Sequence, residues 1–176
     1  MVIKKITVIV ILFLALVSCT KEGTEYRLSS IDIPEISGFA FRNEFGDYSG
    51  SVGQPNARTK YTDKSGNEYN FLLFPNPCIS YFSCYFHGTI PFDSAKIWVV
   101  EGVYSGDADY LSGLGIIMNS NNLVAGGAPV FQTETDQERV SIDVSTLEDG
   151  YYRVYTKIND IVLWNDIIID KEFTIN

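Results

Sequence analysis

Apolar and polar residues alternate one by one along several stretches of this chain, and that period limits what it can build. Val140, Ile142 and Val144 alternate with Ser141, Asp143 and Ser145. Between 78 and 87, Phe82, Cys84 and Phe86 fall on one side and Tyr81, Ser83, Tyr85 and His87 on the other. Successive side chains of a strand point to opposite faces, so both stretches predict half-buried strands. Residues 69–74 are apolar and aromatic and are stopped by Pro75-Asn76-Pro77. Residues 95–103 are rich in β-branched side chains, and 151–158 with 161–169 predict a hairpin about Asn159-Asp160. No stretch sustains a 3.6-residue period, so few or no helices are expected beyond the first 18 residues.

Two further apolar stretches, 28–33 and 36–41, predict the first strands, separated by Pro34. Residues 43–67 are rich in Gly, Asn, Ser and Asp and read as loop and turn. Residues 105–135 are interrupted by Gly106, Gly113, Gly115, Gly126 and Gly127 and predict an extra hairpin or a long loop. Short strands with turns between them and no helical crossovers argue for an all-β fold of two packed antiparallel sheets. The expected division is a strand-and-loop region at 26–67 packed on a sandwich at 68–176.

The N-terminus has a separate character. Lys4 and Lys5 precede an apolar run at 6–17 broken only by Thr7. Crossing hydrocarbon takes roughly 20 apolar residues, so this run is too short for a span and predicts a secretory signal helix. Leu16-Val17-Ser18-Cys19 resembles the lipobox of bacterial lipoproteins. The resemblance implies a signal peptide at 1–18, cleavage before Cys19 and acylation of Cys19. Two or more acyl chains make membrane attachment lasting. Residues 19–25 would then be a lipidated tether. The implied location is the cell envelope, at the outer membrane of a Gram-negative bacterium.

Phe74-Pro75-Asn76-Pro77, the strand at 95–100, Ile142-Asp143-Val144-Ser145-Thr146-Leu147, Gly150-Tyr151-Tyr152 and Ile167-Ile168-Ile169 follow one another in that order. This series resembles the C-terminal sorting domain of type IX secretion cargo over roughly residues 70–170. The resemblance implies an immunoglobulin-like antiparallel β-sandwich, with 105–135 as an oversized insertion. It also gives Tyr152 the structural role of a tyrosine corner. The anchor already supplies a location, so the sandwich is expected to be the body of the protein rather than a removable tag.

Cleavage before Cys19 would leave 158 residues, with 11 Lys and Arg against 22 Asp and Glu. That suits one domain able to bury roughly 68–70% of its unfolded surface without disulfides. Such an acidic chain is repelled by nucleic acid, which binds through neutralisation of its phosphates. Cys78 and Cys84 are six residues apart, roughly 20 Å if extended, far beyond disulfide reach. Two buried free thiols are expected, and a bridge would need the chain to turn between them.

No constellation points to a reaction. His87 is the only histidine, and the default for it is the surface end of a strand. Zinc would need His87, Cys78, Cys84 and a fourth ligand to converge, which extended spacing opposes. The acidic runs at 63–68, 107–109 and 134–136 could suggest calcium but read as turns and solvated tips. Paired carboxylates could hydrolyse glycosides, yet among 22 acids some pair always exists. Aromatics are abundant, with 11 Tyr, 11 Phe and 2 Trp, and Tyr81 and Tyr85 are candidates for stacking on a sugar or a partner. The expected function is a non-enzymatic binding, adhesion or accessory module, held to the membrane by lipid and needing no metal or cofactor. Its expected partner is a glycan or protein of the envelope. The alternatives are a structural subunit of a surface complex or appendage and, behind it, a surface hydrolase.

Overall fold

The computed structural model describes residues 33–116 and 127–173. Its elements, in chain order, are β1 Glu35–Ile36, β2 Gly38–Arg42, β3 Tyr48–Gly53, β4 Lys60–Thr62, β5 Glu68–Phe74, β6 Tyr81–Gly88, β7 Ala95–Glu101, β8 Val103–Tyr104, α1 Ala108–Gly113, β9 Pro129–Thr135, β10 Arg139–Asp143, β11 Gly150–Ile158 and β12 Ile161–Ile169. The fold is all-β apart from the single turn and a half of α1. Among the described residues no helix is long and apolar enough to cross a membrane.

Two four-stranded antiparallel sheets carry the architecture, ordered β10-β6-β5-β4 and β12-β11-β7-β9. They share one core. Phe71, Leu73, Phe82, Cys84, Phe86 and Ile142 come from the first sheet, and Ile97, Val99, Val154, Leu163 and Ile167 from the second. The alternation read from β6 holds, with Phe82, Cys84 and Phe86 buried and Tyr81 and His87 exposed. The β11–β12 hairpin turns at Asn159, whose φ of 53° is the left-handed conformation that Asn tolerates. At the start of β11, Tyr152 donates its hydroxyl to the Glu148 carbonyl at 2.7 Å.

Several boundaries differ from the sequence expectation, among them the stretch 36–41, which is split at Ser37 between β1 and β2. The stretch 43–67 is not all loop: it contains β3 and β4. Only Val52 of β3 is buried, so pairing with β2 and β5, not an apolar pattern, makes these strands. The strand expected from 78 starts at Tyr81, while Cys78 makes a separate parallel bridge to Ile169. The segment 105–135 is neither a hairpin nor one long loop. It supplies α1, capped by the Asp107 carboxylate, and then β9, an edge strand of the second sheet. The strand expected at 28–33 falls outside the described residues but for Ile33.

The hairpins β2–β3 and β4–β5 turn on the same five-residue device, 43–47 and 63–67. The first side chain, Asn43 or Asp63, accepts from the N–H of the third and fifth residues. The first and fifth side chains bond each other, Asn43 to Asp47 and Asn67 to Asp63, with amide and acid exchanged. The fourth residue is glycine at positive φ, 89° at Gly46 and 84° at Gly66. The carboxyl of Asp63 is held below its ordinary range by the Asn67 side chain and by backbone N–H groups. Both of its oxygens accept inside the turn, so this oxygen-rich run reads as a turn.

The β2–β3 hairpin does not join either large sheet through a backbone ladder along its strands. It packs instead on the outer face of the second sheet, where Phe39 and Val52 meet Ile168, Leu111 and Ile116 in a second core. Asn76, buried between β5 and β6, fixes it there. Its amide nitrogen donates to the carbonyls of Ala40 and Asp166, and its amide oxygen accepts from Ile168 N–H. Its backbone exchanges both bonds with Arg42.

Gly66 isolates the conformational demand of the turn, because an added Cβ would meet no atom within 4 Å. Gly66→Ala is expected to lose about 1–2 kcal/mol in urea unfolding, from the left-handed backbone alone. Gly66→Asn should lose less.

Candidate functional site

The residues singled out by sequence do not converge. Cys19 lies outside the described residues. Cys78 and Cys84 are free and fully buried in the shared core. Burial pushes the Cys78 thiol up to about 12 and raises that of Cys84 as well, so neither is a ready nucleophile. Cys84 faces the core while His87, on the same strand, faces solvent and stacks on Tyr85 at 6.2 Å. Asp107 caps α1 through the N–H groups of Asp109 and Tyr110, and Glu134 accepts the Ser94 hydroxyl at 2.6 Å. Among the described residues no group of three or more His, Cys, Asp or Glu could hold a metal ion.

What the fold does bring together lies on the outer face of β12-β11-β7-β9. The inward slots of β7 hold Ala95, Ile97 and Val99, so Lys96 and Trp98 point outward. In β11 the outward slots are Arg153, Tyr155 and Lys157, and in β12 they are Val162, Trp164 and Asp166. The register then sets Trp98 beside Tyr155 and Tyr155 beside Trp164 in one row across three strands. Gln132 of β9 extends the row at one end, and Arg58 bridges Trp164 at the other. Both tryptophans of the chain are in this row. All three rings are half-buried, and those of Tyr155 and Trp164 lie 6.4 Å apart.

A strap at 54–58 walls the row at the β12 edge. Arg58 and Trp164 exchange backbone bonds at 2.9 Å in both directions. The Arg58 guanidinium sits over the rings of Tyr61 and Trp164, at 5.1 and 5.7 Å. Trp164 donates its indole N–H to the Asn56 carbonyl at 2.9 Å.

Beneath the strap, Arg153 and Asp166 form a latch. Arg153 donates Nε and Nη2 to the two Asp166 oxygens at 2.7 and 2.9 Å, and Nη2 also reaches Asn56 Oδ1 and the Glu35 carbonyl. Arg153 is 8% exposed and Asp166 2%. Burial raises the Asp166 carboxyl above its ordinary value, and the two guanidinium bonds pull the other way. The bidentate fork fixes the geometry of the pair. The latch therefore holds β1 and the strap on the sheet, while β2 and β3 cover Tyr151 and Ile168 on the same face. Half of the face is sealed, and the half with the aromatic row keeps its three rings part-exposed.

Counting two tryptophans did not place this row. Slot parity could have done so, since Trp98 and Trp164 both fall in outward phases of strongly patterned strands. Tyr81 and Tyr85 sit on the opposite sheet's outer face, away from this row.

Removing one member of a buried ion pair strands the other. Arg153→Met should cost about 3–5 kcal/mol at neutral pH. The stranded Asp166 would have a folded pKa above its unfolded one, so its folded state binds more protons. Stability of the variant should therefore recover as pH falls through that raised pKa, and urea midpoints measured from pH 7 to pH 4 check the sign. Comparison with protein-family models, curated proteins and solved structures finds no match to this chain.

Proposed function

We propose that this chain is a lipid-anchored envelope protein of a Gram-negative bacterium whose immunoglobulin-like sandwich works as a non-enzymatic binding module. The neighbour orders support the sandwich reading. β10-β6-β5 faces β12-β11-β7-β9, with the chain crossing between sheets at β6–β7, β9–β10 and β10–β11. The Tyr152–Glu148 bond has the form of a tyrosine corner at the start of the penultimate strand. The anchor reading rests on Leu16-Val17-Ser18-Cys19. The observation that carries the binding role is the open aromatic row. Folding buried the other half of that face behind a latch and left Trp98, Tyr155 and Trp164 part-exposed.

The structural-subunit reading has a narrower footing. Strand addition needs a free sheet edge. The β12 edge is occupied from Trp164 to Asp170 by Arg58, Asn76 and Cys78. Among the described residues the other edge strands of the two large sheets, β9, β10 and β4, have no strand on their outer sides. Self-association of the purified protein in size-exclusion chromatography separates this reading from the first.

Cys19→Ala tests the anchor. The variant should leave the membrane fraction and keep the wild-type melting temperature. Intact mass of the native protein should show diacylglycerol on Cys19. A variant that stays in membranes sinks the anchor.

A further inference from the structure

The aromatic row is edged by charge. The protein is acidic, with 22 Asp and Glu against 13 Lys and Arg, yet the row is flanked by three cations, Arg58, Lys96 and Lys157. Lys96 and Lys157 stand directly opposite each other on β7 and β11. Like charges so placed are destabilising. Lys157 has Asp160 at 3.7 Å, at a fully exposed hairpin tip, and Glu134 stands across from Lys96. Among the described residues neither Arg58 nor Lys96 has a carboxylate within 4.0 Å. Arg58 instead lies over the rings of Tyr61 and Trp164, which hold it without neutralising it.

The row also has a length. Neighbouring strands lie about 4.8 Å apart, so from the strap at Arg58 to Trp98 spans roughly 14 Å. One aromatic ring is offered per strand spacing, which is about the width of one pyranose ring. A stable protein partner would bury roughly 800 Å² of this chain, whereas this is a narrow line of rings edged by hydrogen-bonding and charged groups. An anionic leaflet is a plane and would meet the acidic surface around the row, whereas a single extended sugar chain can follow the row alone.

We propose that this row binds an acidic polysaccharide, a chain of hexuronate residues lying across the strands. Apolar sugar faces stack on Trp98, Tyr155 and Trp164. One carboxylate pairs with Arg58, whose planar fork suits it, and another lies between Lys96 and Lys157. The inference rests on reading this face as a binding surface and names what it takes.

Both tryptophans lie in the row, so intrinsic fluorescence reports on it directly. The full-length protein in detergent is titrated with hexamers of galacturonate and of mannuronate, with maltohexaose as the neutral sugar and polyglutamate as a charge without rings. A saturable fluorescence change is expected with at least one uronate hexamer, weakening with added salt. Arg58→Gln keeps both reporters and the backbone bonds to Trp164, and should weaken that binding about tenfold in a variant that still unfolds cooperatively. Tyr155→Ser is the second variant, removing the middle ring, and should weaken it as well. No response to either uronate overturns the proposal. So does equal binding of maltohexaose or polyglutamate, or an Arg58→Gln variant of unchanged affinity. Binding of some other envelope component at a different face would remove this inference and leave the binding-module reading standing.

Discussion

One side-chain amide does for β12 what a neighbouring strand would do. Asn76 donates to the Asp166 carbonyl and accepts from the Ile168 N–H. Those are the two backbone groups that a residue of a parallel strand would bond. Cys78 supplies the next rung with its own backbone, donating to Ile168 and accepting from Asp170. Arg58 supplies another further up, at Trp164. An edge strand left bare is a template for unwanted pairing. Here it is closed by two separate stretches of chain, at 58 and at 76–78, neither of them a regular strand.

The same amide ties the two cores together. Its second donor goes to Ala40, and its backbone pairs with Arg42, so β2 is clamped to the edge of the second sheet. The Arg153–Asp166 latch clamps β1 and the strap a few residues along. Both clamps are buried polar groups, each costly if half made. Every donor and acceptor of the Asn76 amide group that the turn offers is used, and the Asp166 carboxylate is matched to a planar fork. Placing the N-terminal strands on one half of the face leaves the aromatic row on the other half. Packing at one place thus decides exposure at another.

Much of the body was legible because the period of two is strong where one side of a strand is buried. The β11–β12 hairpin was readable to the residue, since fixing its turn at Asn159-Asp160 also fixes its register. That register alone places Arg153 opposite Asp166 and Tyr155 opposite Trp164. The latch and two-thirds of the aromatic row were therefore within reach of the sequence. The strands β3 and β4 were not. Gly50, Gly53, Ser49 and Ser51 carry no apolar signal, and these strands exist because β2 and β5 offer ladders to pair with. The role of Asn76 was hidden for a different reason. Between two prolines it reads as a turn residue, while its decisive partners lie 36, 90 and 92 residues away in the chain.

The clamp at Asn76 joins the two cores, and amide hydrogen exchange at β12 probes it most directly. The Ile168 N–H has no strand partner on its side, only the Asn76 oxygen. It should exchange as slowly as the amides that pair β12 with β11, and Asn76→Ala should speed it selectively while those amides stay protected. An Ile168 amide that exchanges freely in the wild type, or one indifferent to the substitution, would contradict the clamp and the half-sealed face built on it.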